Sequence, residues 1–368
     1  MGRIRPLTSQ DIPEVAALHW RVFSEGPEAS AQLPPELIAE YEAYFRETFL
    51  EHPWYDDEVC SQVYEEGSGQ ITGLLGVVPV RMSMNGKHIR AAIGSQFIVD
   101  PAWRSTLAGV RLMKTFLNGP QDLSIADEAN EQGRKLWEGL GGRTSLLYSI
   151  HWTRPLRPGQ LALTLLNGRK ALAPFARLTR PLVRLADLLV TRIPQSQLYL
   201  ATPSTIGEDL AEGSLTSYLS KFAGEGSLHP EYDHQWLKWA QRRASRLKGY
   251  GAFRGVLVRH EDGAIAGWYL YHLNRGGICN VLQIAGTPQS IHVVLNHLIQ
   301  SAGREGVIAL AGRLEPRYMQ ALSEKHCLFH RRGPWVLVHS KQPELLQAIS
   351  EGNSFLSRLE GEWCLKFH

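Results

Sequence analysis

Apolar positions in "SQDIPEVAALHWRVF" recur every three to four residues, the period of a helix with one face turned inward. Ser9 stands where an N-cap belongs, and "IRPLT" just before it reads as a short strand. A second helical pattern follows in "PPELIAEYEAYFRETFL". From Val59 to Val99 the texture changes to short β-rich runs, "VCSQVYEE", "ITGLLGVVPVRMSM" and "HIRAAIGSQFIV", separated by "GSGQ" and "NGK". The pair Asn85-Gly86 predicts a hairpin, because both residues tolerate the positive φ of a tight primed turn. A helix from about Leu107 to Leu117, a strand "DLSIA", a helix "NEQGRKLWEGLGG" and a closing strand "SLLYSIHW" complete the order β-α-α-β-β-β-α-β-α-β. That order predicts an α/β domain over residues 1–156.

Residues 157–213 have a different texture. Prolines 158, 174, 181 and 194 punctuate apolar runs, and six Lys or Arg stand against one acid between Arg169 and Arg192. Arg177, Arg180 and Arg184 share one face of a helix, opposite leucines and Phe175, as in a basic helix that lies in a membrane interface. The segment is therefore a connector with short helices, through which 169–192 could make peripheral membrane contact. Residues 214–368 then repeat the first texture: helix "DHQWLKWAQRRASRL", strands "FRGVLVRHE", "AIAGWYLYHL" and "ICNVLQIAG", helix "QSIHVVLNHLIQSA", strand "VIALAG", and finally "PRYMQALSEKH" and "WVLVHS". At 368 residues, a chain of two units joined by a connector fits the usual size of a single core.

Composition narrows the function classes. With 43% hydrophobic and 20% charged residues the chain is of ordinary globular type, and a net charge of +3 is no nucleic-acid footprint. Cys60, Cys279, Cys327 and Cys364 stand far apart, which predicts reduced structural thiols. His326 and His330 are four apart but have no third ligand near them, so no metal is expected. No run of about 18 apolar residues and no apolar leader is present, and Pro6 breaks the myristoylation pattern, so the expected compartment is the cytoplasm.

The candidate chemistry lies in "FIVDPAWRSTLAGVRL". A strand ends at Val99, the chain turns at Pro101 and Trp103, and a helix begins near Gly109. Backbone amides at such a helix start, with Arg104, Ser105 and Thr106 beside them, suit a diphosphate. Further on, "NEQGRKLWEGLGG" adds Asn130 and the helix-ending pair Gly141-Gly142. Taken together, Arg104 and Gly109 in the loop, and Asn130, Gly133, Leu136, Trp137, Leu140 and Gly141 in the later segment, resemble the two motifs of the GCN5-related N-acetyltransferase (GNAT) superfamily, in the same order and spacing. The resemblance covers nearly all of residues 1–156 and implies two GNAT-like α/β domains, each a mixed, mostly antiparallel sheet flanked by helices. The second is a degenerate copy without the loop motif.

The resemblance also implies acyl-CoA, acetyl-CoA first of all, as the cofactor. Its phosphates would sit on Arg104, Ser105, Thr106, Leu107, Ala108, Gly109 and Val110. Its pantetheine would lie in a splay beside Ile98 and Val99, reaching Asn130 and Trp137. An acceptor amine would attack the thioester directly, with a backbone amide of the strand Ile93–Val99 at the carbonyl oxygen. Such an amine has a pKa of about 10.4 and needs a base. Three departures from the family pattern bear on this chemistry. Leu107 replaces the first loop glycine, and Trp137 stands where many members have an acidic Tyr. No carboxylate occurs between His88 and Asp100, where some members carry a catalytic Glu. Candidate catalytic groups are therefore Asp127, Tyr148 and His151, with "EHPWYDDE" and Glu40, Tyr41 and Tyr44 as candidate acceptor contacts. The expected function is N-acyl transfer to a small amine, amino sugar or amino acid. The alternatives are a non-catalytic acyl-CoA-binding or membrane-docking module, and an aminoacyl or peptidyl transferase of the tandem type.

Overall fold

The computed structural model describes residues 2–23, 33–103, 107–167, 173–190, 193, 205–211, 215–224 and 226–367. The first half forms β1 (Arg3–Pro6), α1 (Ile12–Phe23), α2 (Pro35–Phe49), β2 (Gln62–Glu65), β3 (Ile71–Met84), β4 (Lys87–Val99), α3 (Ala108–Leu117), β5 (Leu123–Ala129), α4 (Glu131–Gly139), β6 (Arg143–Thr144) and β7 (His151–Pro155). Asn85 and Gly86 take φ of 54° and 74°, and the hairpin they close pairs β3 with β4 over its whole length. Only Arg81 of β3 is exposed, so this strand is central and covered on both faces. One face meets Val15, Leu18, Phe45 and Phe49 of α1 and α2, and the other meets Phe116 and Trp137 of α3 and α4.

A helical hairpin follows, α5 (Pro158–Asn167) and α6 (Ala173–Val190). The second half forms β8 (Ile206–Asp209), α7 (Thr216–Ala223), β9 (His229–Pro230), α8 (His234–Arg246), β10 (Ala252–Arg259), β11 (Ile265–Leu273), β12 (Ile278–Gly286), α9 (Ile291–Arg304), β13 (Ala309–Arg313), α10 (Met319–Glu324), β14 (Leu328–His330), β15 (Trp335–His339) and α11 (Pro343–Ser350). Residues 351–367 then run through the middle of the molecule, with one short 3-10 turn at Glu362–Leu365.

In space the first sheet runs β1-β2-β3-β4-β5-β15-β6 and the second runs β8-β10-β11-β12-β13-β7-β14, with β9 added beside β3. The two orders are the same once β7 and β15 are seen as equivalents that have changed places. In both sheets the fourth and fifth strands are parallel, and the visiting strand is antiparallel to both its neighbours. Each half therefore completes the other, and both sheets contain strands from either side of residue 156. This corrects the closing strand expected at 145–152. Leu147–Ser149 form a 3-10 turn, fixed where Tyr148 Oη donates to the Ser354 carbonyl (2.6 Å), and the strand begins at His151 in the second sheet. β8 falls within the expected connector but serves as the edge strand of the second sheet.

Candidate functional site

β4 and β5 are parallel for only three pairs, Ala91–Leu123, Ala92–Ser124 and Ile93–Ile125. Beyond these the ladder stops, yet both strands continue, β4 to Val99 against β3 and β5 to Ala129 against β15. Two strand edges that no longer pair with each other face across a gap, and their amide and carbonyl groups are a ready template for a ligand that carries amides. The gap is a cleft of about 250 Å³, room for a slender arm rather than a whole nucleotide. Gly94, Ser95, Gln96 and Phe97 form one wall and Ala126, Glu128 and Ala129 the other. Asn130, the cap of α4, Gly133 and Trp137 of that helix, and Phe23, Glu362 and Lys366 complete the lining.

The β4 wall is bent on purpose. Leu74 pairs with Ile98 and Gly76 with Ser95, so two residues, Gln96 and Phe97, face one, Leu75. At this bulge Gln96 has φ of 49°, a conformation that costs a non-glycine residue about 1 kcal/mol or more. Its side chain holds the turn in place: Oε1 accepts from His19 Nε2 (3.1 Å) and Nε2 donates to Tyr44 Oη (2.8 Å). Tyr44 in turn donates to the Leu365 carbonyl (2.6 Å). His19 thereby carries its proton on Nε2, and burial lowers its pKa to about 4, so the ring stays neutral. α1, α2, β4 and the 351–367 segment are tied together at this one point.

Across the cleft, Glu362 Oε1 accepts from the amides of Asp127 (2.9 Å) and Glu128 (3.0 Å) on the open edge of β5. Oε2 has no hydrogen-bond partner among the described residues. Burial first, and then the Asp127 carboxylate, push the Glu362 pKa up to about 8. Asp127 is 2% exposed, accepts from the Glu362 amide (2.6 Å), and pairs with Arg313 Nη1 at 2.5 Å. Arg313, at the end of β13, also donates to the carbonyls of Leu356 and Ser357. Lys366 pairs with Glu128 at 2.8 Å on the rim.

The residues expected from sequence divide into three groups. Asn130 and Trp137 line the cleft. The Asn130 Oδ1 caps α4 by accepting from Gly133 (2.8 Å), and the Trp137 Nε1 donates to the Val338 carbonyl, away from the cleft. Ile98 points into the core, while Gly109 lies against Phe97 and Val99, so that α3 starts close to β4. In the first turn of α3, Ala108 is buried and Leu107 and Val110 are exposed. Arg104, Ser105 and Thr106 lie outside the described residues. Asp127 is adjacent to the cleft but is held in its ion pair. Tyr148 and His151 do not line the cleft: Tyr148 is buried against Ser354, with its pKa pushed up to about 12 by burial. His151 stacks on His330, and burial with neighbouring Arg358 lowers its pKa to about 3. Trp54 donates to Asp233, Asp56 pairs with Arg90, and Tyr41 packs on Phe367.

Sequence reasoning missed Gln96 and Glu362. The signal for Glu362 was the run "EWCLKFH", which is too apolar for a solvated segment.

The second sheet diverges in the same way after Val281–Gly312, but its gap is filled. The amide of Arg358 donates to the Leu282 carbonyl (3.0 Å), Gln283 Nε2 donates to Ser357 Oγ (3.0 Å), and Arg313 holds the next carbonyls. Residues 355–360 thus occupy the second splay, and residues 362–366 form a wall of the first.

This arrangement, a parallel fourth and fifth strand that splay apart with a bulge in the fourth and a helix following each, belongs to a fold with counterparts among solved structures. No family model matches this chain, and no curated protein sequence does either. Among solved structures it is similar to an Enterococcus faecalis protein of unknown function described as a probable N-acyltransferase (TM-score 0.59, 12% identity, covering 95% of this chain and 74% of that one). It is also similar to GCN5-related N-acetyltransferases from Anabaena variabilis (0.57, 12%, 92% and 72%) and from Kribbella flavida (0.52, 13%, 92% and 70%). The chain has the GNAT fold.

Proposed function

We propose that the protein transfers an acyl group from coenzyme A to the amine of a small acceptor. One observation carries this reading: a cleft opens where β4 and β5 stop pairing, and it is lined by Glu362, whose second carboxyl oxygen has no hydrogen-bond partner among the described residues. The residues present fit a pantetheine arm. Phe97, Met113 and Trp137 supply apolar cover, and Gly133 adds no side chain to the lining. Bound acyl-CoA would supply the thioester carbonyl that the acceptor nitrogen attacks. The bulge at Gln96–Phe97 turns the backbone toward the cleft and would place an N–H at the oxygen where negative charge builds. Glu362 Oε2 would take a proton from the acceptor ammonium, and a pKa of about 8 lies between that of an ordinary carboxyl and that of an amine. Collapse of the adduct would break the C–S bond and release coenzyme A as a thiolate; the second nitrogen proton would pass to water, and water would protonate the thiolate, because the Trp137 indole is no acid.

The test is Glu362→Gln, which keeps an oxygen for the Asp127 and Glu128 amides. Calorimetric titration should show acetyl-CoA binding unchanged, and kcat with amine acceptors should fall roughly 10²–10⁴-fold. In the parent protein kcat/KM should rise with pH through about 8 as Glu362 ionises. Unchanged turnover in Glu362→Gln would remove its role as base, and no acetyl-CoA binding by the parent would remove the acyl-transfer reading itself.

A further inference from the structure

The α5–α6 hairpin plays no part in the cleft, and its outer face has no partner among the described residues. Leu182, Leu185 and Leu189 repeat at helical spacing along α6 and are 72%, 56% and 57% exposed. Four hydrogen bonds hold the hairpin together and to the rest of the fold. Asp187 turns inward and caps α5, accepting from the amides of Gly159 (3.0 Å) and Gln160 (2.9 Å). Arg157, at the base of α5, donates to the carbonyls of Val307 (2.5 Å) and Gly303 (3.0 Å) beside the end of α9. The leucine row is consequently held outward, on a helix anchored to the second half of the fold.

Charge decides what covers this row. Between residues 169 and 192 there are six Lys or Arg, and the one acid is the buried, fully engaged Asp187. Arg184 is exposed on α6, and positions 177, 180 and 184 form one row by helical register. An identical copy would bring a second cationic helix against the first, which is repulsive. An anionic surface with an apolar interior suits both the exposed leucines and the excess positive charge. No helix among the described residues is long and apolar enough to cross a membrane, so a span is not the alternative. We infer that α6 is a peripheral docking helix for anionic lipid: Leu182, Leu185 and Leu189 enter the acyl boundary, and the excess positive charge of residues 169–192 favours anionic headgroups. The inference stands apart from acyl transfer.

Co-sedimentation with vesicles tests it, using the full chain and either one part phosphatidylglycerol to two parts phosphatidylcholine or phosphatidylcholine alone. The parent should sediment with the anionic vesicles, stay in solution with the neutral ones, and be released by added salt. The variant R177E/R180E/R184E should bind about a hundredfold more weakly or less. L182E/L185E should lose binding while keeping its melting temperature and its acetyl-CoA affinity, since both leucines are exposed. A parent that stays in the supernatant with anionic vesicles overturns the inference, as does equal binding to both compositions. A dimer seen by light scattering that L182E/L185E splits, with no vesicle binding, assigns the face to a second copy and overturns it too.

Discussion

Glu362 shows at the level of one residue how position makes chemistry out of an ordinary side chain. A carboxyl on the surface is ionised at neutral pH. Burial beside Asp127 keeps this one protonated until about pH 8, and that has a consequence for stability. Its folded pKa lies above the 4.5 of an ordinary Glu carboxyl. Below that value the group is protonated in both states. As pH rises from about 4.5 to about 8 the unfolded chain ionises first, so the folded state loses stability across that window. Glu362→Gln cannot ionise and should escape this loss. Urea midpoints of the parent and the variant should therefore agree near the bottom of the window, and the variant should be the more stable at its top. The neighbouring Asp127 lies against Arg313 at 2.5 Å, and both are buried. Asp127→Ala strands that guanidinium and frees the Glu362 amide, and should lower the unfolding free energy by about 3–5 kcal/mol, read by urea denaturation.

At the scale of elements, α4 places a cleft wall through its exit rather than its start. Trp137 is 1% exposed, and its ring lies directly on Gly142, where an added Cβ would come within 2.0 Å of Cδ1. Gly142→Ala must push the ring from its bond to Val338 into the cleft. It should lose about 1–3 kcal/mol by overpacking and should weaken acetyl-CoA binding in a titration. Gly139→Ala, on the same helix with nothing within 4 Å, should leave binding unchanged and is the control. Elements of this kind were legible in the chain: periodicity placed α3, β12 and α8 within a residue or two, and Asn85-Gly86 marked its hairpin, since each depends on neighbours close in sequence. The exchange of β7 and β15 left no such mark. Both are short apolar strands that suit either sheet, and their partners lie far away along the chain, as Trp335 with Ala129 and His151 with Arg313. The same distance hid Glu362, whose partners Asp127 and Glu128 are more than two hundred residues before it. Asn130 and Trp137 were found because motif spacing within one helix is local.

For the whole molecule, the strand exchange and the 351–367 segment together imply that neither half is a folding unit. The first sheet lacks β15 until the chain has passed residue 335, and without it β5 and β6 have no ladder between them. The second sheet equally requires β7 between β13 and β14. Residues 355–360 fill the second splay, residues 362–366 wall the first, and the buried pair Asp127–Arg313 joins the inner strands of both. A chain with two independent cores would melt in two steps, and a fragment of residues 1–156 would fold by itself. This arrangement predicts the opposite. Calorimetry of the full chain should give one transition whose van't Hoff and calorimetric enthalpies agree, and denaturant curves followed by tryptophan fluorescence and by far-ultraviolet circular dichroism should coincide. The fragment 1–156 should lack a cooperative transition, because the edge of β5 that carries the cleft is then unpaired on both sides for most of its length. Two resolved transitions, or a fragment that melts cooperatively and binds acetyl-CoA, would mean that the exchanged strands decorate two finished domains. One transition would mean that the cleft exists only when the far end of the chain has threaded through both sheets.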